Sequence, residues 1–276
     1  MPEYKGLLLT KKINGVEIAY KESGYTTDGP TIVLMTGWCH DNSLYAGVVP
    51  FLALKYRVIE VNWRAHGYSR DPVADFGVEE QLQDTLGLLE ALEVDQFYII
   101  SHSHGGWVAL EMADRLGKRV LGVLMIDQIM WAPPPGFATD LQAMQTRETW
   151  RAARKSLFDD WSAGSQCPAL EDHLVYSMSS FGFDLWALSC RVIYEAYKAH
   201  GSPMGKMKKI AHPPPIRHVF SHPLNNPAYR QLHEEFDREN PWFSWCDLKG
   251  ETHFPSLELP GKVAEQLECV VKLSKA

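Results

Sequence analysis

The 276 residues contain only five cysteines (Cys39, Cys167, Cys190, Cys246, Cys269), an odd number, widely spaced and without a C-x-x-C pair. That pattern speaks against a disulfide framework and against a structural zinc site, and it suits a reducing compartment. A basic surface is missing too. The chain has 27 Lys and Arg against 34 Asp and Glu, a formal net charge of -7 and a pI near 5.9. Its cations are scattered, so neither nucleic acid nor a membrane surface is expected as a partner. No stretch approaches the roughly 18 apolar residues that cross a bilayer, and none of signal-peptide length follows Met1-Pro2-Glu3-Tyr4-Lys5. Internal repeats and low-complexity segments are absent as well. The expectation is a soluble, cytoplasmic protein with no obligate protein partner.

What is present is organised around Phe97-Tyr98-Ile99-Ile100-Ser101-His102-Ser103-His104-Gly105-Gly106-Trp107. An apolar strand runs into small residues around one serine and then into a helical pattern. A nucleophile elbow holds its serine in a strained turn above the sheet, so the residues two before and two after must be small. Ser101 and Gly105 meet that condition, although the usual G-x-S-x-G motif has glycine where Ser101 stands. Ser103 in an ordinary strand-to-helix loop is the blander alternative.

The surrounding chain alternates strand and helix. Residues 6–13 and 16–22 are β-rich and joined by Asn14-Gly15, which accepts the positive φ angles of a tight hairpin. After the turn-like Thr26-Thr27-Asp28-Gly29-Pro30, residues 31–35 form an apolar run typical of a strand buried on both faces. Helical spacing covers 43–54, 78–92 and 107–116, and strands are expected at 57–63 and 120–126, the last ending at Asp127. This is an α/β chain with a mostly parallel sheet, helices on both faces and functional groups at the carboxyl ends of its strands. The alternation stops at Pro133-Pro134-Pro135 and resumes after Pro213-Pro214-Pro215. Residues 1–132 and 216–276 are therefore expected to form one core domain and 133–215 an inserted helical cap. Two smaller domains are the other possibility for this length. A helix near 227–238, a strand near 243–248 and a helix at 261–275 complete the core.

An elbow serine is unreactive without a base and a group that orients the base, and in this fold the chain order is serine, acid, histidine. His253 is the histidine of the last strand-to-helix loop. Of the two slots for the acid, the one at 221–227 has no carboxylate, which leaves Asp127 at the end of the strand after the elbow helix. The backbone N–H groups of Trp38 and His104 would make the oxyanion hole. A structural histidine and a helix-capping aspartate are the plainer readings of His253 and Asp127. The elements and the Ser103-His253-Asp127 order imply the α/β-hydrolase fold, and they do not by themselves imply hydrolysis. Trp38, Cys39, His40, His102 and His104 crowd the two loops that flank the serine. No carboxylate beside them has iron-triad spacing, so no metal is expected.

These residues carry a closer likeness. Gly37-Trp38-Cys39-His40-Asp41, Asn62-Trp63-Arg64 with His66-Gly67, Ser101-His102-Ser103-His104-Gly105-Gly106-Trp107, Asp127 with Met130-Trp131-Ala132-Pro133, and Thr252-His253-Phe254-Pro255 resemble the cofactor-free 3-hydroxy-4(1H)-quinolone 2,4-dioxygenases over nearly the whole chain. The resemblance implies a small-molecule hydroxyquinolone and dioxygen as reactants, no metal or flavin, and an N-acylanthranilate and carbon monoxide as products. It further implies that His253, paired with Asp127, takes the proton of the substrate 3-hydroxyl. Ser103 would hydrogen-bond the substrate, and Trp38, His40, His102, His104 and the cap residue Trp161 would bind it. A serine hydrolase for apolar esters or amides is the alternative.

A dense apolar cap segment (Phe181, Phe183, Leu185, Trp186, Leu188, Val192, Ile193) with flexible Met178, Met204 and Met207 suits a 2-alkyl tail, with 2-heptyl expected before 2-methyl. The same residues would equally serve to fasten the cap.

Overall fold

The computed structural model describes residues 6–24, 29–71, 73, 75–133, 135–223 and 226–275. Thr26, Thr27 and Asp28 of the expected turn, Pro134 of the first triple proline, and Leu224 and Asn225 of the 221–227 slot lie outside them. Eight strands form one sheet in the order β1-β2-β4-β3-β5-β6-β7-β8. The hairpin β1 (Leu7–Ile13) and β2 (Val16–Ser23) is antiparallel, its turn made by Asn14 at φ 50° and Gly15 at φ 83°. β2 also runs antiparallel to β4 (Val58–Val61). The remaining pairs, through β3 (Thr31–Met35), β5 (Phe97–His102), β6 (Val120–Ile126), β7 (Ile216–Phe220) and β8 (Phe243–Asp247), are parallel.

Alternate strand residues feed two cores, because successive side chains of a strand point to opposite faces. Ile32, Leu34, Tyr98, Ile100, Leu124 and Ile126 join one, and Val33, Met35, Phe97, Ile99, Val123 and Met125 join the other. The first core is closed by α1 (Val49–Leu52) and α11 (Pro260–Leu273), and the second by α2 (Val78–Ala91), α3 (Gly105–Leu116) and α9 (Pro227–Glu239). Fully burying one such aliphatic side chain stabilises the fold by about 1.5–3 kcal/mol. The helix expected over 43–54 is broken instead. Asp41 caps a 3-10 turn at Asn42–Tyr45 by accepting the Ser43 N–H at 2.9 Å, and Pro50 opens α1, having no N–H to continue a helix from the turn.

Between β6 and β7 the described chain is helical: α4 (Pro135–Met144), α5 (Trp150–Ser162), α6 (Pro168–Asp172), a π turn at His173–Ser177, α7 (Phe183–His200) and α8 (Pro203–Met207). Trp150, Trp161 and Trp186 from these helices, with Met178 from a 3-10 turn at Met178–Ser180, extend the first core above the strand ends. Met204 and Met207 do not. They pack on the other face with Met112 and Met130, because α8 turns back along α3. That removes two of the three methionines expected around a ligand tail.

Candidate active site

Ser103 follows β5 and precedes α3 with φ 48°, in the left-handed region that costs a non-glycine residue energy. Its neighbours explain why the chain tolerates this. A Cβ on Gly105 would lie 2.3 Å from the Thr36 carbonyl oxygen, so the turn can press against β3 only with glycine there. The Ser103 N–H donates to the Ile126 carbonyl at 2.7 Å, which pins the elbow to the neighbouring strand.

The three residues of the expected triad come from three strand ends. His253 lies in the loop between β8 and the short helix α10 (Pro255–Glu258), and its Nε2 is 3.1 Å from Ser103 Oγ. Its Nδ1 is 3.6 Å from Asp127 Oδ1, an ion-pair distance rather than a hydrogen bond. Asp127 Oδ2 and Oδ1 instead accept the backbone N–H groups of Ser221 and His222 at 3.0 and 2.9 Å. The slot at 221–227, rejected as a source of the acid, therefore supplies the donors that hold it. Burial raises the Asp127 carboxyl from 3.8 to about 7, with His222 and the two N–H groups opposing. Burial drives His253 well below its usual value, helped by His222, so the imidazole is neutral and free to accept a proton at neutral pH.

The aromatic residues expected to line the site meet around this pair. Trp161 stacks on His253 with centroids 4.8 Å apart, and its carbonyl accepts the His253 N–H at 2.9 Å, tying α5 to the base loop. Trp38 packs against His104 at 5.8 Å, Trp161 at 5.9 Å and Trp186 at 5.3 Å. His40 meets His102 edge-on at 5.0 Å, and His102 lies 4.8 Å from His253. The His102 Nε2–H donates to the His253 carbonyl at 2.8 Å. The backbone N–H groups of Trp38 and His104, expected as oxyanion donors, have no acceptor among the described residues.

Burial holds His40 and His102 well below their usual pKa and His104 at about 3, so all three rings are neutral. Buried polar atoms are nearly always paired, and leaving one unpaired costs about 1–3 kcal/mol. Here the Nε1 of Trp38 and Trp186, the Nε2 of His40 and the Nδ1 of His102 and His104 have no protein partner. These five atoms fall in two contacting groups, Trp38 with His104 and Trp186, and His40 with His102, and each is able to hydrogen-bond a polar ligand. Among the described residues no group of three or more His, Cys, Asp or Glu could hold a metal ion.

Sequence reasoning gave no site role to His173 or Phe254, and gave Trp186 only a place along the ligand's alkyl tail. His173 meets His40 edge to edge through a 2.8 Å ring-nitrogen hydrogen bond, and Phe254 stacks on His102. A lone histidine in an apolar cap segment was the only available signal for the first. Phe254 adjoins His253 in the sequence, yet nothing in its type distinguishes it from core.

The strand, the left-handed serine, the helix behind it and the acid and histidine on later strand ends define a protein of the α/β-hydrolase fold. A family model described as the alpha/beta hydrolase fold matches residues 30–163. The chain is 47% identical to a 2-heptyl-3-hydroxy-4(1H)-quinolone dioxygenase of Mycobacteroides abscessus over 94% of its length and 96% of the relative's. It is 34% identical to the 1H-3-hydroxy-4-oxoquinoline 2,4-dioxygenase of Pseudomonas putida, over 92% and 96% respectively. The solved structure of an AqdC variant with its substrate, described as recognising and cleaving the ring of the Pseudomonas quinolone signal, superposes with a TM-score of 0.93 at 46% identity, covering 98% of this chain and 100% of that one. The chain belongs to the 3-hydroxy-4-quinolone dioxygenase family.

Proposed function

We propose that this protein cleaves the heterocyclic ring of 2-alkyl-3-hydroxy-4(1H)-quinolones, the 2-heptyl compound foremost, with dioxygen to an N-acylanthranilate and carbon monoxide, using no metal or organic cofactor. The observation that carries this reading is the neutral base His253, set beside Ser103 and surrounded by unpartnered imidazole and indole nitrogens. A hydrolase needs the first part of that arrangement but has no use for the second. The relatives' activities point the same way, and two of them, at 47% and 45% identity, act on the 2-heptyl substrate.

The chemistry divides between protein and substrate. His253 Nε2 takes the 3-hydroxyl proton, and the imidazolium it becomes is stabilised by Asp127. Ser103 Oγ, next to that nitrogen, positions the substrate oxygen. The resulting anion is electron-rich enough to reduce triplet dioxygen, a step the neutral quinolone performs poorly. Trp38, His40, His102, His104 and Trp161 hold the ring and keep water away, in surroundings that sharpen the electrostatics. Residues 133–215 act as the cap and 1–132 with 216–276 as the core. The five cysteines are free, which suits work in a reducing cytoplasm without a protein partner.

The test is oxygen uptake with 2-heptyl-3-hydroxy-4(1H)-quinolone by protein dialysed against a chelator, with N-octanoylanthranilate and carbon monoxide as products. His253→Ala should lose about two to four orders of magnitude in kcat, whereas Ser103→Ala should keep measurable turnover. A stoichiometric fluorophosphonate adduct together with ester hydrolysis abolished in Ser103→Ala would identify a serine hydrolase instead.

A further inference from the structure

The proposed reaction has a proton to dispose of. A neutral hydroxyquinolone and dioxygen yield carbon monoxide and an N-acylanthranilic acid, which is ionised at neutral pH, so each turnover releases one proton. That proton begins on His253, inside a closed site: Ser103 and His253 are each 4% exposed and His40 and His102 0%. Water has no evident access to it.

A chain of hydrogen bonds leads outward from the same place. His40 Nδ1 is 2.8 Å from His173 Nε2, His173 Nδ1 is 2.8 Å from Ser43 Oγ, and Ser43 Oγ is 2.5 Å from Asp41 Oδ1. The two imidazoles meet edge to edge and nearly coplanar, with centroids 5.1 Å apart and planes 15° apart. Asp41, Ser43 and His173 line a surface groove of about 470 Å³ together with Tyr68, Arg70 and Asp172. The inner end is His40 Nε2, buried and without a protein partner, on a ring lying edge-on against His102.

The donors and acceptors fall into one direction. An ionised carboxylate only accepts, so the Ser43 hydroxyl donates to Asp41 and its oxygen accepts the His173 Nδ1–H. His173 Nε2 is then a lone pair that accepts the His40 Nδ1–H. His40 Nε2 is left as an acceptor on the site side. Burial keeps both rings neutral, with His173 at about 4 despite the opposing pull of Asp41.

Resting on the dioxygenase reading, we propose that His40, His173, Ser43 and Asp41 form a proton-exit relay from the active site to the surface groove. The product carboxylate formed in the site takes the proton from the His253 imidazolium and hands it to His40 Nε2, and the His40 Nδ1 proton passes to His173 Nε2. His173 Nδ1–H passes its proton to Ser43 Oγ, and the Ser43 hydroxyl proton goes to Asp41 and then to water in the groove. Every N–H and O–H bond broken is matched by one formed, and reversal of the hydroxyl and imidazole tautomers resets the chain. No oxidant or further reactant is needed.

The relay is tested in single turnovers on the full-length protein, following quinolone absorbance and a pH-indicator dye together. In the wild type the proton should reach bulk solvent in step with product. In Asp41→Asn and Ser43→Ala, which leave His253, Ser103 and Asp127 untouched, product should form at an unchanged rate in that first turnover. Proton appearance should lag at least about tenfold behind it, with kcat lowered, kcat/KM retained and added imidazole restoring the release. A merely structural role would lower product formation and proton release together and would not respond to imidazole. Protons released in step with product in both variants would overturn the relay while leaving the dioxygenase reading intact. A wild type that consumes no oxygen with any 3-hydroxy-4(1H)-quinolone would overturn both. Asn at position 41 can still cap the 3-10 turn, so a misfolded Ser43→Ala would leave Asp41→Asn to decide.

Discussion

Ser103 and Asp127 adopt the same left-handed backbone, φ 48° each, one residue beyond the ends of adjacent strands whose last residues, His102 and Ile126, are paired in register. The Ser103 N–H donates to Ile126, and the Asp127 N–H to Val219 of the next strand at 2.9 Å. Strain at two neighbouring strand ends thus lifts the serine and the acid out of the sheet towards His253. Neither residue would choose that conformation alone, and the sheet hydrogen bonds hold both in it.

This strain can be measured at Ser103. Glycine adopts φ 48° without the clash that any Cβ suffers, at a cost of about 1–2 kcal/mol for an L-residue, partly offset by the greater freedom of glycine in the unfolded chain. Ser103→Gly should therefore be more stable than Ser103→Ala by about 1 kcal/mol, read from urea midpoints of two otherwise identical variants. An alanine variant as stable as the glycine variant would mean that the turn carries no strain.

Much of this was legible in the sequence, for local reasons. Buried parallel strands are continuous apolar runs, the Asn14-Gly15 turn allows one hairpin geometry, and an elbow needs small residues at fixed offsets. All eight residues assigned to the site from the sequence meet in one cluster. What could not be read are relations between distant segments. The Ser221 and His222 N–H groups that hold Asp127 carry no side-chain signal. The placing of His173 against His40 depends on how the inserted helices fold back, and the departure of Met204 and Met207 to the opposite core depends on the direction of α8. The 43–54 helix failed because its spacing ignored Pro50 and the competing cap from Asp41.

The proposed proton chemistry predicts an acid limb in the pH profile. Burial places Asp127 at about 7, so below that pH the carboxyl becomes neutral and can no longer stabilise the His253 imidazolium. Turnover should fall by about tenfold per unit as pH drops below 7, and Asp127→Asn should be slow and flat across the same range. The check is kcat against pH between 5 and 8 for both proteins at constant ionic strength. A wild-type profile flat down to pH 5 would show that Asp127 keeps its charge in the complex.

Stability should respond to acid through the histidines. Nine of the eleven, His40, His66, His102, His104, His173, His200, His218, His233 and His253, are driven below 6.5 by burial, His66 and His233 to about 4. Their folded pKa is depressed, so their contribution is complete above the unfolded value near 6.5 and is lost as pH falls towards the folded values. Asp127 and Glu60 act oppositely. Burial raises both to about 7, and their contribution is complete at low pH and fades as pH rises towards 7. The histidines outnumber them, so unfolding at pH 5.5 should take up roughly five protons, each worth about 1.4 kcal/mol per pH unit. Calorimetry in buffers of different ionisation enthalpy counts those protons, and an uptake below about one would contradict the neutral buried rings.

Under the proposed function, chain length at position 2 of the quinolone is the finest distinction residues 133–215 would make. With Met204 and Met207 in the opposite core, an alkyl tail has Met178, Trp186 and their neighbours for company beyond Trp38. Each methylene buried there contributes about 0.8 kcal/mol. Lengthening methyl to heptyl adds six, which leaves a few kcal/mol once the tail and the side chains around it are ordered. The specificity constant for oxygen uptake should therefore favour the 2-heptyl over the 2-methyl substrate by at least about tenfold, mostly through KM if the tail binds equally in ground and transition states. Met178→Ala removes part of that wall and should lower the heptyl constant while leaving the methyl constant nearly unchanged. Equal constants for the two substrates in the wild type would mean that these apolar residues only seat the cap, and would leave the ring chemistry at His253 unaffected.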